Sequence, residues 1–328
     1  MIKLSVIIPT RNRADLLQTA LTSLLDQELS QDRFEVIVVD NGSVDTTGEV
    51  AQKFSSSFDN FRYIYESRPG LHKGRHAGLH AAKSNVLVYA DDDIRATQSW
   101  LLTLDDIFTD QSVVLAGGNN LPDFETTPPT WVDKLWEDTP WGRVCGIYSL
   151  IDFQGGRKEI SPLNVYGCNF SIRKSALINA GGFHPDGMPD KLLRYRGDGE
   201  TGVSTWLRRN GHTAVFDPDA TVYHLVSQSR MSPEYLRKRG FLQGVSASYS
   251  AIRDLYSMTR WHQIRYCYFL WKRLFLLWYP IINKYDSDIQ NDFLKGHFDG
   301  FRFHMKEAIK DPSLRNWIVR ESYLTSDD

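Results

Sequence analysis

Two apolar runs, Leu4 to Ile8 and Val36 to Val39, flank a stretch in which Leu17, Leu21, Leu24 and Leu25 recur at spacings of three and four. Runs without polar alternation read as strands buried on both faces, and the leucine stripe reads as a helix covering a sheet. Strand, helix and strand over about forty residues make a βαβ unit, so the sheet must contain parallel neighbours. The rhythm continues. Asp45 is placed to cap a second helix carrying Val50, Ala51 and Phe54, and Phe61 to Tyr65 supplies a third strand. A helix is expected over about 72–82, and Val86-Leu-Val-Tyr-Ala90 reads as a central fourth strand. A helix near Trp100 to Phe108 and a strand at Val113 to Ala116 follow. The expected fold class is therefore α/β: a mostly parallel central sheet flanked by helices.

Past residue 118 the pattern loosens. From Asn119 to Leu163 prolines, glycines and tryptophans occur without periodicity, which predicts a long functional loop region. Order returns with a strand at Asn169 to Arg173, a short helix, and a helix over about Thr201 to Arg209. A strand pair is expected around Thr213 to Phe216 and Thr221 to His224. From Pro233 the chain reads as helices to its end.

The composition, 41% apolar, 12% aromatic and 24% charged, is that of a globular chain with a real core. A net charge of −2 provides no overall field to attract nucleic acid, so no nucleic-acid partner is expected. Cys145, Cys168 and Cys267 are too few and too widely spaced for a disulfide framework or a zinc site, which points to a reducing compartment. The apolar N-terminal run is too short for a signal peptide, and a cytoplasmic location is expected.

In an open α/β sheet, ligands bind beyond the carboxyl ends of the strands. Those ends are polar here: Pro9-Thr-Arg-Asn-Arg13 after the first strand, Asp40-Asn-Gly-Ser-Val-Asp45 after the second, and Asp91-Asp-Asp93 after the fourth. The first turn has no G-x-G-x-x-G sequence, which weakens a dinucleotide-dehydrogenase reading, and no P-loop lysine motif occurs. In an extended segment Asp91 and Asp93 point to one side and Asp92 to the other. Two carboxylates so close call for a hard cation, Mg2+ or Mn2+, sharing the oxygens of a diphosphate. Helix capping accounts for one aspartate and leaves the other two unexplained.

These segments, with Gly74-Arg-His-Ala-Gly78, Gly167-Cys-Asn-Phe-Ser171 and Gly181-Gly-Phe183, resemble glycosyltransferase family 2, the inverting nucleotide-sugar transferases of the GT-A fold. The likeness covers roughly the first 225 residues. It implies a catalytic domain over residues 1–228, with nucleotide-sugar binding in about 1–118 and the acceptor and catalytic part in about 119–228, followed by a helical region over 229–328. It further implies a UDP-sugar donor lined by Pro9, Thr10, Arg11 and Arg13, with Asp40 at the base and Asn41 and Ser43 beside it. Arg68, Gly74 and Arg75 are placed near base, ribose and diphosphate, and Asp91 and Asp92 also face the donor. Gly70, Gly74 and Gly78 can equally form a small helix face packed on the sheet. Asp91 and Asp93 are the expected metal ligands. His224 is either a third ligand or a structural residue at a strand end.

Inversion needs a carboxylate that takes the acceptor proton. In Arg196-Gly-Asp-Gly-Glu-Thr-Gly202 that role falls to Glu200, with Asp198 the second choice; acidic residues decorating a helix N-terminus are the competing explanation. The acceptor is expected to be a glycan or a lipid-linked glycan. Trp131, Trp136 and Trp141 are either sugar-stacking residues or the apolar contacts of a lid. From Arg230 to Tyr279 basic residues outnumber acids, and Trp261 to Ile282 interleaves them with aromatics. That pattern suits packing against the catalytic domain or a second subunit first, and peripheral contact with the inner face of a membrane second. A glycoside hydrolase and a non-catalytic nucleotide-sugar-binding scaffold are the competing functional readings.

Overall fold

The computed structural model describes residues 1–257 and 288–324; the Trp261 to Ile282 segment and Cys267 lie outside them. Two apolar strands, β1 (Leu4–Thr10) and β2 (Phe34–Asp40), are buried along their whole length. They pair in parallel across α1 (Ala14–Leu25), whose Leu17, Leu21 and Leu24 are buried against the sheet. β3 (Phe61–Tyr65) extends the sheet beyond β2, after α2 (Thr47–Phe54). The Asp45 carboxylate accepts the Thr47 amide at 3.0 Å at the start of that helix. On the other side of β1 lies β4 (Val86–Ala90), also parallel, reached through α3 (Leu71–Ala81).

The glycines of α3 explain its close seat. A β-carbon at Gly74 would stand 3.2 Å from that of Pro9, and one at Gly78 would stand 2.3 Å from Ile7 Cγ2. Gly70, at φ +114°, precedes the first turn in the left-handed region that glycine tolerates. The packing expectation for Gly74 and Gly78 is met.

β5 (Ile94–Ala96) leaves the main sheet directly after the aspartates, and α4 (Trp100–Ile107) and β6 (Leu115–Gly117) follow. The expected long loop region is instead a second sheet. β7 (Asn120–Phe124), β8 (Glu137–Thr139), β9 (Gly142–Cys145) and β10 (Leu150–Phe153) belong to it, while β11 (Lys158–Ile160) returns to the main sheet. Strands of three to five residues carry too few alternations to register as a period. β12 (Asn169–Arg173) runs antiparallel between β4 and β6, and α5 (Lys174–Asn179) and α6 (Glu200–Arg209) follow. β13 (Ala214–Phe216) and β14 (Val222–Val226) do not pair with each other, contrary to expectation. β13 joins β6 and β11 in the main sheet, whereas β14 lies between β5 and β7 in the second.

The helical end consists of α7 (Pro233–Ser257), α8 (Asp288–Lys310) and α9 (Pro312–Ile318). α7 and α8 meet backbone to backbone. A β-carbon at Gly240 or Gly244 would lie 2.1 or 2.0 Å from the carbonyl oxygen of Phe293 or His297, and one at Gly296 or Gly300 would lie 2.1 or 1.9 Å from that of Arg237 or Phe241. Gly244→Ala or Gly300→Ala is therefore expected to lower stability by about 1–3 kcal/mol through overpacking, despite alanine's better helix propensity. A lower urea midpoint would report it; an unchanged midpoint would contradict this contact. The two helices run in parallel, since Gly240 and Gly244 meet Phe293 and His297 in the same order, and the helical end is tied to the α/β body: Ser250 Oγ donates to Asp198 at 2.6 Å, Ser246 Oγ donates to the Gly197 carbonyl at 2.6 Å, and the Tyr323 amide donates to that of Gly181 at 2.9 Å. Among the described residues no helix is long and apolar enough to cross a membrane.

Candidate functional site

The parallel register of β1, β2 and β4 brings their carboxyl ends to one edge, where Thr10 aligns with Asp40 and Ile7 with Tyr89. The loops there are knitted together. Asn12, a non-glycine residue at φ 53°, donates its amide to Ser43 Oγ at 2.9 Å and accepts the Val44 amide at 2.8 Å. Such strained positions cluster where loops are held for function. Asp40 is buried, accepting from the Ser43 amide and the Tyr63 hydroxyl, each at 2.7 Å. Burial, and then the Asp40 bond, push the Tyr63 phenol up to about 12. Asn41 fastens this loop to the next by donating to the carbonyls of Glu66 and Arg68 at 3.1 and 2.7 Å. Arg68 forks onto Glu66, and Arg11 is exposed.

The three consecutive aspartates follow β4 in a turn rather than an extended segment, and they divide between two sets of partners. Asp92 turns under β1, where it accepts Thr10 Oγ1 at 2.7 Å and Arg13 Nη1 at 2.8 Å; burial raises it to about 6 against the pull of Arg13. Asp91 and Asp93 face the other way. The pairing of β14 with β5 sets His224 opposite Ile94, so oxygens of Asp91 and Asp93 and a ring nitrogen of His224 lie within 4.8 Å of one another. The His224 Nδ1 stands 2.9 Å from the Tyr148 carbonyl oxygen and so carries the proton, which directs the Nε2 lone pair at Asp93 Oδ1, 3.3 Å away. That Oδ1 is buried and accepts no hydrogen bond. Burial would raise the Asp93 carboxyl, but His224 when its ring is protonated, with Arg230 and Arg13, overrides it and holds the group below the usual carboxylate range. Arg230 donates to Asp93 Oδ2 at 2.9 Å and Arg13 at 3.1 Å. The contact from Arg230, 137 positions away, was missed by the sequence reading, which took this arginine only as part of a basic tail.

Arg75 lies between the candidate metal site and the candidate base. It is 3% exposed, lies over the Phe183 ring at 5.0 Å, and reaches between two carboxylates, Glu200 Oε2 at 3.2 Å and Asp91 Oδ1 at 3.6 Å. Glu200, the first residue of α6, also accepts the Gly167 amide at 3.3 Å. A β-carbon at Gly167 would lie 2.4 Å from Arg75 Nη2 and 3.1 Å from Glu200 Cδ, so glycine is what lets the three groups meet. Asp198 is not at this junction. Its oxygens are taken by His184 Nδ1 at 2.5 Å and Ser250 at 2.6 Å, and despite burial these partners hold its carboxyl low. Trp131 and Trp136 pack on a small core of Val132, Cys145 and Tyr148, and Trp141 leans on Phe153.

Residues 5–180 match the model of the family described as Glycosyl transferase family 2. The chain is 35% identical over 267 residues to the glycosyltransferase AglE of Haloferax volcanii, spanning 78% of this chain and 79% of that protein. It is 24% identical over 320 residues to the glucosyl-dolichyl phosphate glucuronosyltransferase of the same organism, spanning 95% of this chain and 88% of that protein. Among solved structures, the mannosyltransferase PcManGT of Pyrobaculum calidifontis, in complex with GDP-Man and Mn2+, superposes with a TM-score of 0.53 at 15% identity, covering 98% of this chain and 84% of that one. S. aureus TarS superposes with a TM-score of 0.51 at 15% identity, covering 97% of this chain and 55% of that one, and shares the fold. The strand order, the polar strand ends and these matches agree: the chain belongs to glycosyl transferase family 2 and has the GT-A architecture of a glycosyltransferase.

Proposed function

We propose that the protein is a metal-dependent inverting glycosyltransferase that moves a sugar from a nucleoside diphosphate, UDP by preference, to a hydroxyl of a glycan or lipid-linked glycan. The observation that carries the metal assignment is the meeting of two acceptors, His224 Nε2 and the unpartnered buried Asp93 Oδ1, beside Asp91. Oxygen and imidazole donors suit Mn2+ or Mg2+. When bound by Asp91, Asp93 and His224, the ion supplies charge neutralisation for a departing nucleoside diphosphate.

The chain's own groups account for the rest. The loop after β1, held through Asp92, and the loop after β2, held through Asn41 and Ser43, form the donor wall, with Asp40 toward the base. Glu200 accepts the acceptor proton as the acceptor oxygen attacks the anomeric carbon; the new carbon–oxygen bond forms on the face opposite the breaking bond to phosphate. Arg75 and the Gly167 amide fix the Glu200 carboxylate. Asp198, with both oxygens engaged, braces α6 against α7. In this reading residues 1–228 are the catalytic domain and 229–328 a helical region bound to it.

A thermal-shift screen of UDP and GDP, each with and without Mn2+, tests the proposal. Stabilisation is expected only with nucleotide and metal together, by about 2.7 kcal/mol at a hundredfold excess over Kd. A glycoside hydrolase or metal-independent site would show no joint dependence.

A further inference from the structure

A groove of about 360 Å3 runs between the second sheet and the parallel helices α7 and α8. One wall comes from Lys134, Leu135, Glu137, Gly146 and Ile147; the other comes from Gln243 on α7 and from Gln290, Phe293 and Leu294 on α8. It adjoins the proposed base. A β-carbon at Gly146 would stand 3.8 Å from the Tyr166 hydroxyl, Tyr166 precedes Gly167, and the Gly167 amide holds Glu200. The Tyr166 phenol, pushed up to about 12 chiefly by burial, lies within the field of both Glu137 in the groove and Glu200 beyond it.

Its lining is of two kinds. Two amides, a carboxylate and an ammonium can meet hydroxyls or an anion, while Leu135, Ile147, Phe293 and Leu294 are half-buried apolar side chains with nothing polar to offer. A purely polar glycan would leave that apolar surface unmatched.

We infer that this groove is the acceptor site, that the C-terminal helices α7 and α8 build one wall of it, and that the acceptor is an amphiphile, with its reacting hydroxyl toward Glu200 and its apolar stem along Leu135, Ile147, Phe293 and Leu294. This rests on the reading of Glu200 as the base. It gives the helical region a role in substrate recognition rather than only in packing.

The test uses the full chain and β-D-glucosides with methyl, hexyl, octyl and decyl stems, kept below their micelle concentrations, with binding followed by tryptophan fluorescence. Affinity is expected to rise by about tenfold or more from hexyl to decyl, less than the roughly fourfold per methylene of full burial. In Phe293→Ser and Ile147→Ser the rise should disappear while the stabilisation by UDP with Mn2+ stays at its wild-type value, which also shows that the variants fold. Affinity independent of stem length, or a rise that persists in both variants, would overturn the inference. Loss of the nucleotide-plus-metal stabilisation in the wild-type chain would instead remove the donor-site reading, and near-normal transfer by Glu200→Gln would remove the base assignment.

Discussion

Asp93→Ala is expected to lower transfer by about a thousandfold, the rate equivalent of the several kcal/mol that metal-assisted charge stabilisation supplies. Three features of Asp93 make the loss larger than at either neighbour. It faces His224, it is the partner of both Arg13 and Arg230, and its Oδ1 is left for a cation. Removing it also leaves the Arg230 guanidinium beside the site without its carboxylate partner, so added metal should not rescue the variant. Asp92→Asn should behave differently. Its carboxylate is committed to Thr10 and Arg13, so the expected loss is smaller and appears mainly as weaker donor binding. Steady-state kinetics with varied Mn2+ separate the two. Full activity and unchanged metal dependence in Asp93→Ala would remove the metal assignment.

Glu200→Gln is expected to reduce kcat by about 10^2–10^4, the usual contribution of a positioned general base, with donor KM nearly unchanged. The amide keeps the shape and an acceptor oxygen for the Gly167 N–H but takes no proton. Asp198→Ala should show the reverse split: a loss of about 2–3 kcal/mol of stability, because His184 and Ser250 lose a charged hydrogen-bond partner, with much of the chemistry retained in the folded fraction. The depressed Asp198 carboxyl sets the sign of the pH dependence. Its contribution is present above the unfolded-state pKa and is lost as pH falls through the folded value, so wild-type stability should drop more steeply than that of Asp198→Ala in acid. Melting temperature against pH for the two proteins measures this.

Much of this architecture is written locally in the chain. β4 is an uninterrupted apolar run, β1 and β2 carry the apolar stretches Val6 to Ile8 and Val36 to Val39, α1 carries a clean leucine stripe, and the polar residues that follow each strand mark the edge where loops converge. The grouping of Asp91 with Asp93 matches the alternation expected of a strand, although the residues lie past β4, with Asp92 and Asp93 in a turn. What was illegible depends on long-range pairing. The second sheet is built from strands of three to five residues whose partners lie up to about 130 positions apart, as β5 and β14 show, and no local period reveals them. For the same reason nothing in Thr221-Val-Tyr-His224 told whether it paired with its neighbour β13 or with β5, which is the choice that sets His224 beside Asp93.

The partners of Arg75 were not legible locally: the buried guanidinium spans Asp91 and Glu200, 125 positions away, because Gly167 clears the space for it. The paired glycines Gly240, Gly244, Gly296 and Gly300 were a readable signal that went unused: two small-residue pairs at spacing four, on helices α7 and α8, announce a close backbone crossing.

The most direct test of the account is Mn2+ binding in the presence of UDP, followed by electron paramagnetic resonance, in the wild-type chain and in Asp91→Ala, Asp93→Ala and His224→Ala. The account predicts UDP-dependent immobilisation of about one Mn2+ per chain in the wild type, abolished in Asp93→Ala and weakened about 10–100-fold or more in the other two. Equal immobilisation in all four proteins would contradict it.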